Sequence, residues 1–521
     1  MPFSASLSPA PRLVALSRVL VLLGVSGCAV GPDFSSPPPP EVERFTPEPL
    51  ATLGGDNGVT LVDDDIPQRW WEVFHNKNLN RLVKAAIEHN PSLQAAQASI
   101  KIAYYNAEAQ KGGFLPQILF GSNDSFNRQA SPVFDAAPNG PSNPYGLFLK
   151  QLTVSYTPDI WGQNIRAVES LEAQTDQQRY QLEAAYLALT ANVVTAAIQE
   201  ASLRGQIAAI RKVIAVEREL LDLLRKQYRA GSVAEADVLT QESALAQSLQ
   251  LLPPLEKQLA QQRDLLTALA GQYSTAEVPE TFQPGSMALP RQIPLSLPSK
   301  VVRQRPDVRA AEANMHSASA QIGVAIAARL PNLTLSANGG FSAFKFAQLF
   351  APGTGFYTLA ANVAQPIFDG FTLLNKQKAA EAGLVQADAQ YRQAVVTAFQ
   401  NVSDALRALQ ADTKAVKAAA YSEQVSNKNL YIVKAQLRLG SVSVLSVLNA
   451  QQTYLLALTT RVQAEGNRLA DVAGLFMALG GGWSDQKLRD LPPNSPESPR
   501  PEQTDAIQGP VSSSWLPDIA R

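Results

Sequence analysis

Few side chains in this 521-residue sequence have the type and spacing for covalent or metal chemistry. Cys28 is the only cysteine, so its thiol has no internal disulfide partner. The three histidines, His75, His89 and His316, stand at no metal-ligand spacing from one another, from the cysteine or from a carboxylate. Asp63-Asp64-Asp65 has the composition of a cation site, but a solvated acidic turn ahead of Pro67 accounts for it. No glycine-rich phosphate loop follows a strand pattern, and no Gly-x-Ser-x-Gly nucleophile elbow is present. The sequence therefore predicts no enzyme, no catalytic residues, no metal and no dissociable cofactor. Cys28 is left as the residue whose chemistry needs a use.

Its setting supplies one. Arg12 and Arg18 lead into the apolar run Val19 to Leu23, which ends in Val25-Ser26-Gly27-Cys28. A short apolar core closing on small residues is the pattern of a secretory signal. The flank resembles the bacterial lipobox, which implies diacylglycerol on the Cys28 thiol, cleavage before Cys28, and an N-acyl chain on the new amine. Ala29 follows rather than aspartate, which by the same resemblance favours the outer membrane. Several acyl chains at ~0.8 kcal/mol per buried CH₂ would anchor the chain firmly. Residues 1–27 are thus expected to be a lipoprotein signal peptide. Residues 28–66, with Gly31-Pro32-Asp33-Phe34 and Pro37 to Pro40, read as a lipidated extended tether. At the far end, 484–521 has no apolar periodicity and reads as a disordered tail.

The body between them is a different kind of sequence. Basic and acidic residues number 44 and 45, so no nucleic acid or other polyanion partner is suggested. Apolar residues make up 45% with only 7% aromatic, which favours long, closely packed, alanine-rich helices. No apolar run approaches the ~20 residues of a spanning helix, so any membrane crossing is expected to be a closed barrel.

Two stretches punctuate the helical pattern: Arg229-Ala230-Gly231-Ser232-Val233 and Arg438-Leu439-Gly440-Ser441-Val442. Glycine after a basic last turn is a helix C-terminus signal, since glycine accepts the left-handed conformation. Ser232 and Ser441 are expected to offer hydroxyls to the first free amides of the returning helix. Each stretch reads as the tip of an antiparallel helical hairpin. Around the tips the chain repeats itself. Pro91 to Pro116 and Pro306 to Pro331 are each 25 residues apart; Pro158 to Gly231 is 73 and Pro366 to Gly440 is 74. Landmarks recurring in one order at one offset mark a duplication. Residues 67–275 and 299–483 are two structural repeats, each a helix, two strands and a long helical hairpin, joined by a linker at 276–298. Leu203, Ile207, Ile210, Ile214, Leu221 and Leu224 in one copy keep coiled-coil spacing, as do Val395, Phe399, Val402, Leu406 and Leu409 in the other. A helix from Gln163 to Ala230 would span ~100 Å. Two strands per repeat give four, too few to close a pore. Either several chains share one membrane barrel, or the four strands cap a helical bundle as a small ordinary sheet.

The residues Gly27-Cys28-Ala29-Val30-Gly31-Pro32-Asp33-Phe34, Trp70-Trp71, Arg305-Pro306-Asp307-Val308-Arg309-Ala310-Ala311-Glu312, Gln321-Ile322-Gly323-Val324-Ala325, Gln365-Pro366-Ile367-Phe368-Asp369-Gly370 and Ala478-Leu479-Gly480-Gly481-Gly482-Trp483 resemble those of the TolC-like outer-membrane efflux factors, in the NodT-type lipoprotein branch. That resemblance implies a homotrimer with a 12-stranded β-barrel in the outer membrane, continued by a long periplasmic α-helical barrel. It implies a passive exit duct of a tripartite efflux system, exporting small molecules such as drugs, with a periplasmic adaptor and an inner-membrane RND-type pump as partners. The other class in play is a lipid-anchored periplasmic coiled-coil adaptor or scaffold without a pore. By the resemblance, the tips at Gly231, Ser232, Val233, Gly440, Ser441 and Val442 would meet the adaptor. Gly162 and Gly370 would make the strand-to-helix turns, and Phe371, standing where relatives often have glycine, would stiffen the second. The periplasmic aperture would fall at Leu445, Ser446, Asn449 and Gln452, with Asp237 in the first copy. Ser446 and Asn449 replace acids of the relatives, so a neutral aperture is expected.

Overall fold

The computed structural model describes residues 29–38, 40, 42, 44–47, 60–62, 66–128, 144–290, 292–294 and 298–482. Cys28 with its signal peptide, Asp63 to Asp65, Trp483 and the tail at 484–521 lie outside these. In chain order the elements are β1 (Thr60–Val62), α1 (Lys77–His89), α2 (Pro91–Lys111), β2 (Gln117–Asn127), β3 (Tyr145–Tyr156), α3 (Gln163–Arg229), α4 (Glu235–Gln250), α5 (Leu252–Leu269), β4 (Gln292–Pro294), α6 (Pro298–Gln304), α7 (Pro306–Ala327), β5 (Asn332–Ala343), β6 (Gly355–Ala364), α8 (Thr372–Arg438) and α9 (Val444–Ala478).

Helix starts follow from local chemistry. The Asn76 side chain accepts from the Asn78 and Leu79 amides at 2.9 and 3.0 Å, and Asn90 does the same for Ser92 ahead of Pro91. These bonds satisfy donors that the first helical turn leaves free. The long helices α3 and α8 have 67 residues each, or ~100 Å at 1.5 Å per residue. The first returning arm differs from the single helix expected. It breaks at Leu251 into α4 and α5, because Pro253 and Pro254 have no N–H to continue the ladder. Its counterpart α9 runs unbroken for 35 residues.

The strands form one antiparallel sheet in the order β2-β3-β5-β6. Each is continuous with a helix, and the helices pack in the same order: α2 on α3, α3 on α7, α7 on α8. One chain is therefore a curved wall segment of four strands over four helices. A parallel pair, β1 with β4, was not anticipated; it ties the N-terminal stretch to the linker before the second repeat.

Around the waist of the helical body sits the main core. Trp70 stacks on Phe476 with ring centroids 5.5 Å apart, and Trp71, Phe74, Leu79, Leu82, Phe282 and Ile293 fill the same cluster. Arg305 explains its motif: its guanidinium donates to the Ala478 carbonyl at 2.9 Å, one of the carbonyls α9 leaves open, and is held by Asp307 at 2.6 Å. Glu200 receives Arg204 at 2.7 Å and Arg263 at 3.1 Å, joining α3 to α5. Against the expectation from the sequence, one stretch of α3 is long and apolar enough to cross a membrane. Its apolarity is that of a core helix, since Leu189, Val193, Val194 and Ile198 are buried within the waist.

Glu183 is buried on α3 with no charge partner among the described residues, and burial pushes its carboxyl up to about 7. A folded-state value above the unfolded one means stability is full below about pH 4.5 and is lost as pH rises through about 7. The shift corresponds to about 3 kcal/mol at alkaline pH. Glu183→Gln is thus expected to match the wild type in melting temperature near pH 4.5 and to exceed it at pH 8. Parallel pH profiles for the two proteins would contradict this account.

Candidate functional site

The wall has two chemically distinct surfaces in its strand region. The pairing register puts Ile118, Phe120, Phe148, Leu152, Val154, Leu333, Leu335, Phe341, Tyr357, Leu359 and Val363 on one face. The other carries Gln117, Asn123, Gln151, Thr153, Asn338, Ser336 and Asn362, with Leu119, Leu147, Leu149 and Phe356 between them. Strands of 10 to 12 residues with alternating apolar and polar sides match a tilted membrane crossing with an aqueous lumen. The apolar face contains one ion pair, Lys150 with Asp124 at 2.8 Å, which neutralises both charges. Aromatic contacts gather at both ends. Phe126 meets Phe148 at 5.8 Å, Tyr145 meets Phe344 at 5.7 Å and Phe341 meets Phe350 at 5.2 Å at one end; Phe368 meets Phe371 at 5.8 Å at the other. Such girdles mark the two membrane interfaces of a barrel.

The turns from strand to helix lie at the second girdle. Gly162 caps α3 with φ +74°. In the second copy the left-handed cap is Phe371, at φ +67°, with Gly370 also left-handed beside it. The expected symmetry of Gly162 with Gly370 is therefore off by one residue, and Phe371 takes a conformation that costs an L-residue about 1 kcal/mol. Each helix start is secured by an aspartate. Asp159 accepts from the Ile165 amide at 2.8 Å and Asp369 from the Leu373 amide at 2.7 Å.

The segment after Cys28 is extended but not free, which corrects the expected tether. The Val30 amide donates to the Trp161 carbonyl at 3.1 Å, and Arg166 donates to the Val30 carbonyl and to Asp33 at 2.6 Å. Phe34 stacks on His316 at 4.4 Å, Ser36 bonds Glu312, and Phe45 packs on Phe399 in the waist core. Two glycines permit this approach. A Cβ on Gly323 would lie 2.7 Å from the Val30 carbonyl oxygen, and one on Gly162 would lie 2.6 Å from Ala29 Cα. The strap fixes the residue that follows Cys28 against the strand-to-helix turn. Charge pairing at Arg166, one turn into a helix, was the sequence signal that could have revealed it.

At the opposite end the two tips are built alike. The Ser232 amide donates to the Gln227 carbonyl at 3.0 Å and the Gly231 amide to Tyr228 at 2.8 Å; Ser441 and Gly440 repeat this with Gln436 and Leu437, both at 3.0 Å. This double closure is the Schellman motif, and it requires the left-handed glycines at φ +73° and +71°. The serine hydroxyls do not cap the returning helices as expected. Each donates back to the outgoing helix, at 2.9 Å to Gln227 or Gln436, because the Schellman turn points the side chain at that open carbonyl. The α4 start is instead secured by Asp237, whose carboxylate accepts from the Ala234 amide at 3.3 Å. Past the second tip, Val444, Val447, Leu448 and Gln451 are buried against the hairpin bundle. Leu445, Asn449 and Gln452 form an exposed stripe on the other side of α9, with Ser446 half-buried. Val233 and Val442 are half-buried at the tip ends.

A wall segment with a membrane-type sheet, a ~100 Å helical extension and paired tips defines a class: subunits of outer-membrane channels that reach into the periplasm. The family profile described as outer membrane efflux protein matches residues 82–272 and 297–481, more than half the chain. The chain belongs to the outer membrane efflux protein family, a family of outer-membrane channels rather than of enzymes. Among curated relatives, it is 28% identical to the pyoverdine export outer membrane protein OpmQ of Pseudomonas putida, over 90% of this chain and 98% of that protein. It is 24% identical to nodulation protein T of Rhizobium leguminosarum bv. trifolii, over 88% and 96%. The solved outer-membrane channel OprN superposes with a TM-score of 0.80 at 22% identity, covering 88% of this chain and all of that one.

The strap gives a test. In Gly323→Leu the side chain would occupy the path of Val30, an overpacking that costs about 1–3 kcal/mol. The expected result is faster tryptic cleavage at Arg44 and a lower melting temperature, with the trimer otherwise retained. Unchanged cleavage would show that the strap does not depend on this approach.

Proposed function

We propose that three copies of this chain close into one 12-stranded barrel and one helical tunnel, forming the exit duct of a tripartite efflux system. The observation that carries this is the single wall segment whose strand order and helix order coincide. It leaves β2 and β6 with open edges, and a lipid-facing sheet tolerates none. Four strands cannot close alone, whereas three such segments reach a pore-sized circumference. Cargo is exported as small molecules, a reading supported by the relative named for pyoverdine export. The tips at Gly231, Ser232, Val233, Gly440, Ser441 and Val442 meet a periplasmic adaptor, which links the duct to an inner-membrane RND-type pump. Cys28 is the mature N-terminus and carries diacylglycerol and an N-acyl chain. The docked strap supports this, because it would hold those chains at the membrane edge of the wall.

The aperture lies at Leu445, Ser446, Asn449 and Gln452, three copies of each around one axis, with Asp237 nearby but engaged at its own helix start. Neutral side chains there make the resting constriction insensitive to cations. The test is conductance of the purified trimer in planar bilayers. Ser446→Asp with Asn449→Asp would add up to six carboxylates, each pair repelling by ~1 kcal/mol in water and more at lower dielectric. Reversal potentials should then shift toward cation selectivity, and divalent cations should block the double mutant more than the wild type. A well-folded mutant trimer with wild-type selectivity would refute the aperture assignment, and a stable, non-conducting monomer would refute the duct.

Lipidation is read separately by mass spectrometry. The N-terminal peptide should begin at Cys28 with the mass of three acyl chains, and Cys28→Ser should leave the precursor uncut. A free thiol on an intact N-terminus would exclude the anchor.

A further inference from the structure

A cavity of about 760 Å³ lies where the sheet meets the helices, bounded by α2, α3, α7 and the first residues of β2 and β5. Its position in the wall follows from helical geometry. On α3 the strap meets Gly162 and Arg166, whereas the cavity is lined by Asn164, Ala167 and Leu171. At 100° per residue these two stripes are about 150° apart. The cavity therefore opens away from the strap. Of the sheet residues that line it, Gln117 and Asn332 belong to the polar face and Leu333 to the apolar one. It involves neither β6 nor α8, and reaches the β2 edge of the wall through Gln110 and Gln117.

Its lining mixes carboxamides with apolar side chains, among them Ile160, Trp161, Leu171, Val324 and Leu333. Carboxamides from Gln110, Gln117, Asn164, Gln321 and Asn332 converge there, and Asp159 is the one ionisable group in the lining. Gln110 donates to the Asn164 carbonyl oxygen at 2.6 Å, and Gln321 donates to Ser170 at 2.8 Å. The Asn164 amide nitrogen is buried with no acceptor among the described residues. The Asp159 carboxylate adds one negative charge per cavity, which favours an amine and disfavours an anion.

We propose that this cavity is a solute subsite on the inner surface of the channel, one per subunit, for small molecules that combine an amine with hydroxyl or carbonyl oxygens. This rests on the duct reading, because the polar surface must face an aqueous lumen. The subsite holds cargo at the passage from tunnel to barrel, where a cation among neutral amides is retained and an anion is not. Its size suits a two- or three-ring solute, and its walls offer hydrogen bonds alongside apolar contact.

Kanamycin, rich in amines and hydroxyls, is the probe, with glucose 6-phosphate as the anionic comparison. Full-length trimer in detergent would be titrated with each by calorimetry. Saturable kanamycin binding near one per subunit is expected, with none for glucose 6-phosphate. Ala328→Trp fills the cavity without removing any of its hydrogen bonds and should abolish that binding. Asp159→Asn keeps a side-chain oxygen for the Ile165 amide and should weaken binding about ten-fold. Melting temperature and trimer migration of both variants report whether they fold. Kanamycin binding unchanged in folded Ala328→Trp, or no saturable binding to the wild type, overturns the subsite. Equal binding of the anion overturns its charge preference. Conductance in bilayers without kanamycin binding removes only the subsite. Binding by a trimer that never conducts keeps a ligand cavity but removes the duct on which its role as a lumen subsite rests.

Discussion

The whole molecule depends on the open edges of a four-stranded sheet. In water a free strand edge can be satisfied by solvent, but in hydrocarbon each unpaired N–H or C=O costs several kcal/mol. β2 and β6 each present such an edge. The chain cannot resolve this by itself, since four strands are too few to curl onto one another. Copies of the same segment can, and the duplicated architecture makes each segment self-similar, with a strand pair and a hairpin in each half. The coincidence of strand order and helix order carries the same edge down the helical body. One closure therefore serves both the barrel and the tunnel.

Joining a barrel to a tunnel demands a change of backbone period within a few residues. The chain does this with a left-handed residue at each helix start and an aspartate that secures the first free amides. The second copy places Phe371 in the left-handed position, beside Phe368 in the aromatic girdle. Backbone strain there accompanies an aromatic at the membrane interface, a combination that glycine could not provide. The strap meets this same joint, so strap, girdle and turn occupy one level of the wall.

Charged groups are used in the helical body as ties between elements. Arg166 holds the strap to α3, Arg305 closes the end of α9, and Glu200 links α3 to α5 through Arg263. Glu183 on α3 and Asp471 on α9 stand apart, since burial raises both carboxyls; Asp471, also bonded to Asp412, rises to about 6. Neutral carboxyls keep the helices packed without a counter-charge, and their ionisation opposes that packing.

The sequence by itself determined the local and the periodic features. Prolines and glycines at matched spacing revealed the duplication, and the strand and helix boundaries fell within a few residues of it, because turn and period chemistry acts over short range. The coiled-coil positions Leu203, Ile207, Ile210, Leu406 and Leu409 are buried as their spacing required. The tertiary structure decided what depends on partners distant in sequence. Arg305 meets Ala478 and the strap meets Gly323, and no spacing rule encodes such pairings. The off-by-one cap at Phe371 was set by local backbone geometry that residue identity leaves open, whereas the break at Leu251 follows from Pro253 and Pro254. The carboxamide cavity was invisible in sequence because its lining comes from both repeats. Only the packing of α2, α3 and α7 brings Gln110, Asn164 and Gln321 to one place.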